Sequence, residues 1–315
     1  MTVLARFAAA ALCASSLAAA AAPFAYASNE GSGTVSVIDT KTDKVVAEIP
    51  AGAKPRGIVV APDGQHVYVS DQPGSRLVVL DTARRATSGE VPLGVSPEGV
   101  GISRDGRWVA AAVEESNEVA FVDTRTGQKA FTVAVRGKNP EHAVFSPDGR
   151  HVFVSAEEGS AIDVIDLDKR AVVAQVPTGE RPRGIGFSPD GKRAYVGVEN
   201  ASEVAVIDAV EFKTVATLKA GTRSNGIAVQ PDGKRVFVSN GGDATVSVLD
   251  TASLKFIATI PVGQRPWNMA ITPDGRKLYV ACGRSGAVSV IDTDKLEKIA
   301  DVPVGKLPWG VAIVR

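Results

Sequence analysis

Three histidines and a scatter of carboxylates and guanidinium groups carry most of the reactive chemistry in this 315-residue chain. No motif with a mechanism of its own contains them. There is no Cys-x-x-Cys-His for attached haem, no Gly-x-Ser-x-Gly nucleophile, no His-x-x-x-His pair and no phosphate loop. What recurs is a marker typified by Pro55-Arg56-Gly57. The residues at its central phase are Arg56, Glu98, Glu141, Arg183, Asn225, Trp267 and Trp309, seven in all and mostly unlike. The next position is Gly except at His142 and Asn268. Glycine allows a close backbone approach, so these two side chains depart from the pattern. Glu98, Glu141, His142 and Arg183 are groups that can activate water and hold an oxyanion, the chemistry of a hydrolase. Trp267 and Trp309 can stack on a flat ligand. A lone His142 beside Glu141 is equally a hydrogen-bonded loop residue.

Charge flanks this ring on both sides. Lys54, Lys138, Arg181, Arg223, Arg265 and Lys306 precede it, and Glu30, Asp71, Glu114, Glu115, Glu157, Glu158 and Glu199 fall in loops on the same face. The basic set could draw a polycarboxylate. The acidic set could bind a divalent cation or a basic partner patch, or neutralise the basic set as surface pairs of little energetic weight. Acidic and basic residues balance at 35 each, which gives no net charge to attract nucleic acid or an anionic membrane.

The elements that must position these groups follow from internal repetition. Asp recurs at 39, 81, 123, 166, 208, 250 and 292, so five spacings are 42 residues and one is 43. Pro-Asp-Gly turns recur in phase at Pro62, Pro147, Pro189, Pro231 and Pro273. Each unit reads as four short strands, A to D, typified by Gly184–Ser188, Arg193–Val198, Val204–Ile207 and Thr214–Leu218. Four strands per 42 residues predict an all-β fold, a seven-bladed β-propeller of four-stranded antiparallel blades. Phe24–Asn29 matches strand B and Trp309–Val314 matches strand A, so the C-terminal strand pairs with the N-terminal strands and closes the ring.

The meander also sorts the loops. D-to-A and B–C loops share a top face around the channel, and the Pro-Asp-Gly turns form the bottom. His66 and His151 fall on that bottom surface. Trp108 fills the space left where Ala110 replaces an aromatic residue. Asp163 stands where other blades carry small residues and marks either a buried pair or an open blade. Cys282 is a small packing residue.

Residues 1–22 read as a secretory signal peptide: Arg6, then a small apolar run to Ala22 with no acid before Glu30, with cleavage within 18–22. Cleavage after Ala27 would destroy the first strand B. The expected mature unit is a single domain over 23–315 without membrane insertion, holding one cysteine and therefore no intrachain disulfide. Export implies the periplasm.

Tyr68-Val69-Ser70, Tyr195-Val196-Gly197 and Tyr279-Val280-Ala281, with the repeated Val-Ser-Val-Ile-Asp-Thr and Pro-Asp-Gly-Lys stretches, resemble the YVTN family of β-propeller repeats. The stretch Ser28 to Asp39 is most similar to a periplasmic subgroup associated with pyrroloquinoline quinone (PQQ)-dependent alcohol catabolism. That resemblance implies a non-enzymatic binding or scaffold protein, whose partner is a periplasmic dehydrogenase, a cytochrome or a component of a linked ABC transporter. It makes PQQ or a divalent cation a ligand to test, without implying either firmly. The tryptophan-rich repeat of the quinoprotein dehydrogenases is missing. The alternative from the residues themselves is a lactonase-like hydrolase with its site on the top face.

Overall fold

The computed structural model describes residues 23–314, which form twenty-eight β-strands and one 3-10 turn at Gly283–Ser285. Strands are numbered in chain order from β1 (Phe24–Asn29) to β28 (Pro308–Ile313). They make seven four-stranded sheets. Blades I to VI are β4–β7 (from Pro55), β8–β11 (from Pro97), β12–β15 (from Pro140), β16–β19 (from Pro182), β20–β23 (from Ser224) and β24–β27 (from Pro266); blade VII is β28 beside β1–β3. The expected seven-bladed all-β propeller is the architecture observed. Strand B of the typical blade spans Arg193–Val198 as read from sequence, whereas strand A spans Pro182–Phe187, starting at the marker proline itself.

Burial explains the apolar rhythm. Strands B and C lie between neighbouring blades and are covered on both faces, so His66–Asp71 and Arg76–Asp81 read as nearly continuous apolar runs. Strand D is outermost and alternates, as in Lys44–Pro50, where every second residue is exposed. The bottom turns use their glycines for backbone: Gly64, Gly149, Gly191, Gly233 and Gly275 all take φ of +71° to +73°. The preceding Asp accepts the N–H two residues on, as Asp63 Oδ1 does from Gln65 at 2.9 Å.

β1 is paired on both sides, with β28 and with β2 (Thr34–Asp39), so closure joins the two chain ends within one sheet. Ala25 and Ala27 are fully buried there, and a cut after Ala27 would remove this strand. The expected leader, residues 1–22, lies outside the described residues.

Two departures from the repeat have local explanations. In blade II the space at Ala110 is taken chiefly by Phe121 and Phe131, stacked at 4.6 Å, where other blades carry Val and Ala or Gly. Trp108, expected to fill that space itself, instead lies edge-on over Phe131 at 5.5 Å. In blade III, Asp163 marks neither a buried ion pair nor an open edge. Its Oδ2 accepts the backbone N–H groups of Arg136 and Gly137 at 2.7 and 2.8 Å. Those residues belong to the loop that enters blade III, which has five residues (135–139) where the other six D-to-A loops have four. The 43-residue spacing is this one extra residue.

Candidate functional site

Seven A strands start at the top of the channel, and their second residues form the ring predicted from the marker phase. The residue just before each strand takes a left-handed φ between +51° and +61° at Ser96, Asn139, Arg181, Arg223, Arg265 and Leu307, so this conformation belongs to the loop and not to one side chain. Behind the ring, serines of strand B tie blades together. Ser70 Oγ accepts the Gly57 N–H at 2.9 Å and donates to the Glu98 carbonyl of the next blade at 2.5 Å. Ser28 and Ser239 make the same clip to Gly310 and Arg56, and to Gly226 and Trp267. A Cβ on Gly57 would lie 2.4 Å from the Glu98 carbonyl oxygen, which is why Gly follows the ring residue.

Blade III breaks this rule. Here His142 stands in register with Ser155, and the Ser155 hydroxyl has no partner among the described residues. The imidazole reaches residues of three other blades. Its Nε2 lies 3.2 Å from Asn268 Oδ1 of blade VI. Its ring stacks on Trp309 of blade VII, with centroids 5.5 Å apart and planes 15° apart. Its Cδ2 would be 3.0 Å from a Cβ on Gly99 of blade II. The Asn268 amide nitrogen faces the Trp309 carbonyl at 3.5 Å, which turns Oδ1 to the imidazole and puts the His142 proton on Nε2. Burial, then the nearby Arg183, push the His142 pKa down to about 4, so the ring is neutral.

Part of the charge around the ring forms a network on buried carboxylates rather than the surface pairs expected. Arg183, 8% exposed, contacts Glu141 at 2.7 Å, Glu199 at 2.7 Å, and Glu157. Glu199 also takes Arg181, Arg223 and Arg265 at 3.1, 2.8 and 3.1 Å, so four guanidinium groups share one carboxylate. Burial raises the Glu199 pKa, but Arg183 and Arg265 outweigh it and hold it at about 2. Across the channel Arg56 bridges Glu30 and Glu98. Glu98 is buried, and desolvation together with Glu141 drives its pKa well above the carboxylate range, against the pull of Arg56. Glu141 is raised as well, to about 7, because burial and Glu157 outweigh Arg183.

A cavity of about 120 Å³ opens at this mouth. Arg56, Glu141, Arg183, Asn225, Trp267, Asn268 and Trp309 line it, as the sequence phase predicts; Glu98 and His142 sit behind the lining. Glu114, Glu157 and Arg265 line it too; the sequence placed them among the flanking charges and not in the ring itself. Trp267 Nε1 and Arg265 Nη1 are buried donors without a partner among the described residues. His66 and His151 start strands at the bottom, as expected, and are half-buried, His151 edge-on to Phe212. Cys282 is buried in the packed interior with its thiol pKa raised by desolvation.

A groove of about 610 Å³ lies at the bottom between blades II and III. Arg107 and Arg170 already cover the faces of Trp108 and Phe131, and Asp105 and Asp148 accept local backbone N–H groups. Among the described residues no three His, Cys, Asp or Glu groups stand together at metal-ligand spacing.

Among curated proteins none matches this chain. A family model described as "Lactonase, 7-bladed beta-propeller" matches residues 166–306, and one described as "Cytochrome D1 heme domain" matches residues 24–142. Of solved structures, hydrazine synthase of Kuenenia stuttgartiensis is similar with TM-score 0.79 and 24% identity, covering 85% of this chain and 92% of that one. A functionally unknown protein from Desulfotomaculum acetoxidans has TM-score 0.83 and 17% identity, covering 92% and 98%. A candidate 6-phosphogluconolactonase from Bacteroides uniformis has TM-score 0.77 and 22% identity, covering 93% and 100%. At these identities the likeness shows the seven-bladed fold.

The channel residues do not fit the haem that the second family description names. One histidine reaches the channel, its Nε2 is held by Asn268 and its face by Trp309. The cavity is also far below the roughly 300 Å³ that a larger ligand needs, a limit that bears equally on PQQ. A five- or six-membered ring is nearer its size, since about 150 Å³ admits benzene.

Proposed function

We propose that the channel mouth is the active site of a lactonase-type hydrolase acting on a small cyclic ester. The observation that carries this reading is Glu141, a buried carboxyl in contact with Arg183, lining the same small cavity as Arg183, Arg265 and Trp267. The lactonase family description over residues 166–306 supports it. In this reaction the Glu141 carboxylate takes a proton from water, and the hydroxide attacks the ester carbonyl carbon. The charge of the resulting oxyanion is stabilised by the guanidinium groups of Arg183 and Arg265, which line the cavity. Collapse breaks the ring C–O bond, and the leaving alkoxide takes the proton from Glu141. Glu98 and His142, which sequence alone placed among the reacting groups, shape the field and the floor behind it.

The test is a panel of small lactones followed by proton release, with and without added divalent metals. Turnover should appear and rise with pH through about 7, as Glu141 loses its proton. Glu141→Gln should lower kcat by about 10²–10⁴-fold. No turnover of any lactone by the folded protein would overturn the proposal.

A second reading is a non-enzymatic periplasmic binding protein of PQQ-dependent alcohol oxidation or its transporter. The observation that favours it is the mutual saturation of the ring charges, with four arginines spent on Glu199. Co-purification of a dehydrogenase, cytochrome or transporter component from alcohol-grown cells separates this reading from the first.

A further inference from the structure

We infer that His142 and Asn268 form a bar across the central channel, and that this bar sets the depth of the site and so the size of the ligand it accepts. Two short side chains can meet at the axis of a seven-blade ring only if they come from blades on opposite sides. Blades III and VI are such a pair, and these are the two that carry a side chain where the other five have Gly. The imidazole contacts blades II, VI and VII at once, which places it at the axis.

The bar lies one residue deeper along strand A than the ring, and Asn268 with Trp309 supplies cavity lining. Beyond it, each A strand is the edge strand of its sheet, whose unpaired N–H and C=O groups water can satisfy. With Gly at both positions the channel would run on past the ring. The bar is held at both ends: Trp309 supports the imidazole face, and its carbonyl faces the Asn268 amide. The buried Nδ1 of His142 has no partner among the described residues.

The size-selection half of this inference rests on the hydrolase reading, and the experiment separates the two. In a Trp108→Phe background the remaining tryptophans are Trp267 and Trp309. Acrylamide quenching of their fluorescence reports cover at the channel mouth. The double variant His142→Gly with Asn268→Gly should fold, because Gly is native at this position in five blades. Its quenching constant should rise several-fold, while His142→Gln stays close to wild type. The ratio of kcat/KM for a lactone with a long alkyl side chain over an unsubstituted one should rise about tenfold or more. Unchanged quenching in the double variant overturns the bar. If the double variant does not fold, Asn268→Gly alone must show the same rise or the bar falls. Raised quenching with no lactone turned over keeps the bar and removes the hydrolase reading.

Discussion

His142 is the residue whose chemistry depends most on its setting. Its pKa of about 4 lies below the ordinary value near 6.5. Between those values the unfolded chain binds a proton that the native protein refuses, so stability present above about pH 6.5 is lost as pH falls toward 4. Glu98 and Glu141 act in the opposite sense, since their raised pKa values favour the native state as pH falls. Arg183 acts on His142 and Glu141, Arg56 acts on Glu98, and both guanidinium groups stay charged. Thermal melts of wild type and His142→Gln isolate the imidazole, because both proteins share the carboxyl pair. The stability difference, wild type minus variant, should fall with pH in that window by up to roughly 1.4 kcal/mol per pH unit; a constant difference would show that the imidazole titrates normally. The phase of the repeat was enough to pick out His142 and Asn268 as exceptions. It did not reveal that they meet, since contact between residues 126 apart depends on side-chain reach. Glu199 was visible only as one acid among several. Its role follows from Gly241 and Gly283, which stand where other blades carry an acidic or amide side chain. Blades V and VI thus offer Arg223 and Arg265 no carboxylate of their own, and a Cβ on Gly241 would lie 2.8 Å from Arg265 Nη1.

At the scale of elements, strand order and turn positions were legible because Asp, Pro and Gly have backbone reasons for where they stand. Strand A was misjudged at its start, because the marker proline looks like a turn residue and yet begins an inner strand. Blade II shows volume exchanged across one sheet: Ala110 replaces an aromatic residue while Phe121 and Phe131 replace smaller ones. Phe131→Ala should therefore cost about 2–4 kcal/mol, measured by urea unfolding, more than an Ala standing natively at this position in other blades would suggest. Restoring Tyr at position 110 in that variant should recover part of the loss. The serine clips show the same logic with hydrogen bonds. The junction of blades III and IV lacks its clip, because Ser155 has no partner among the described residues, and the Glu141–Arg183 pair crosses that junction instead.

For the whole molecule, closure by β28 was predictable from the ends of the chain matching strands A and B. The function was not, because the repeat encodes the scaffold and leaves the ring free to vary. Removing residues 308–315 would strip blade VII of its inner strand, bare one side of β1 and take Trp309 from the channel. The truncated protein should lose cooperative thermal unfolding, read by circular dichroism, and supplying Pro308–Arg315 as a peptide should restore part of it. A cooperative melt at the wild-type temperature would mean that closure contributes little.

The single extra residue in the loop before blade III has a consequence for how such a molecule can diversify. Seven equivalent loops are seven places where the same one-residue lengthening can be anchored by an acid on strand C, as Asp163 anchors this one. Moving the stretch Arg136 to His142, with its Asp163 anchor, to another blade would turn the reactive face by one-seventh of a turn without altering the wheel. The scaffold thus acts as a dial, and this chain is set at III.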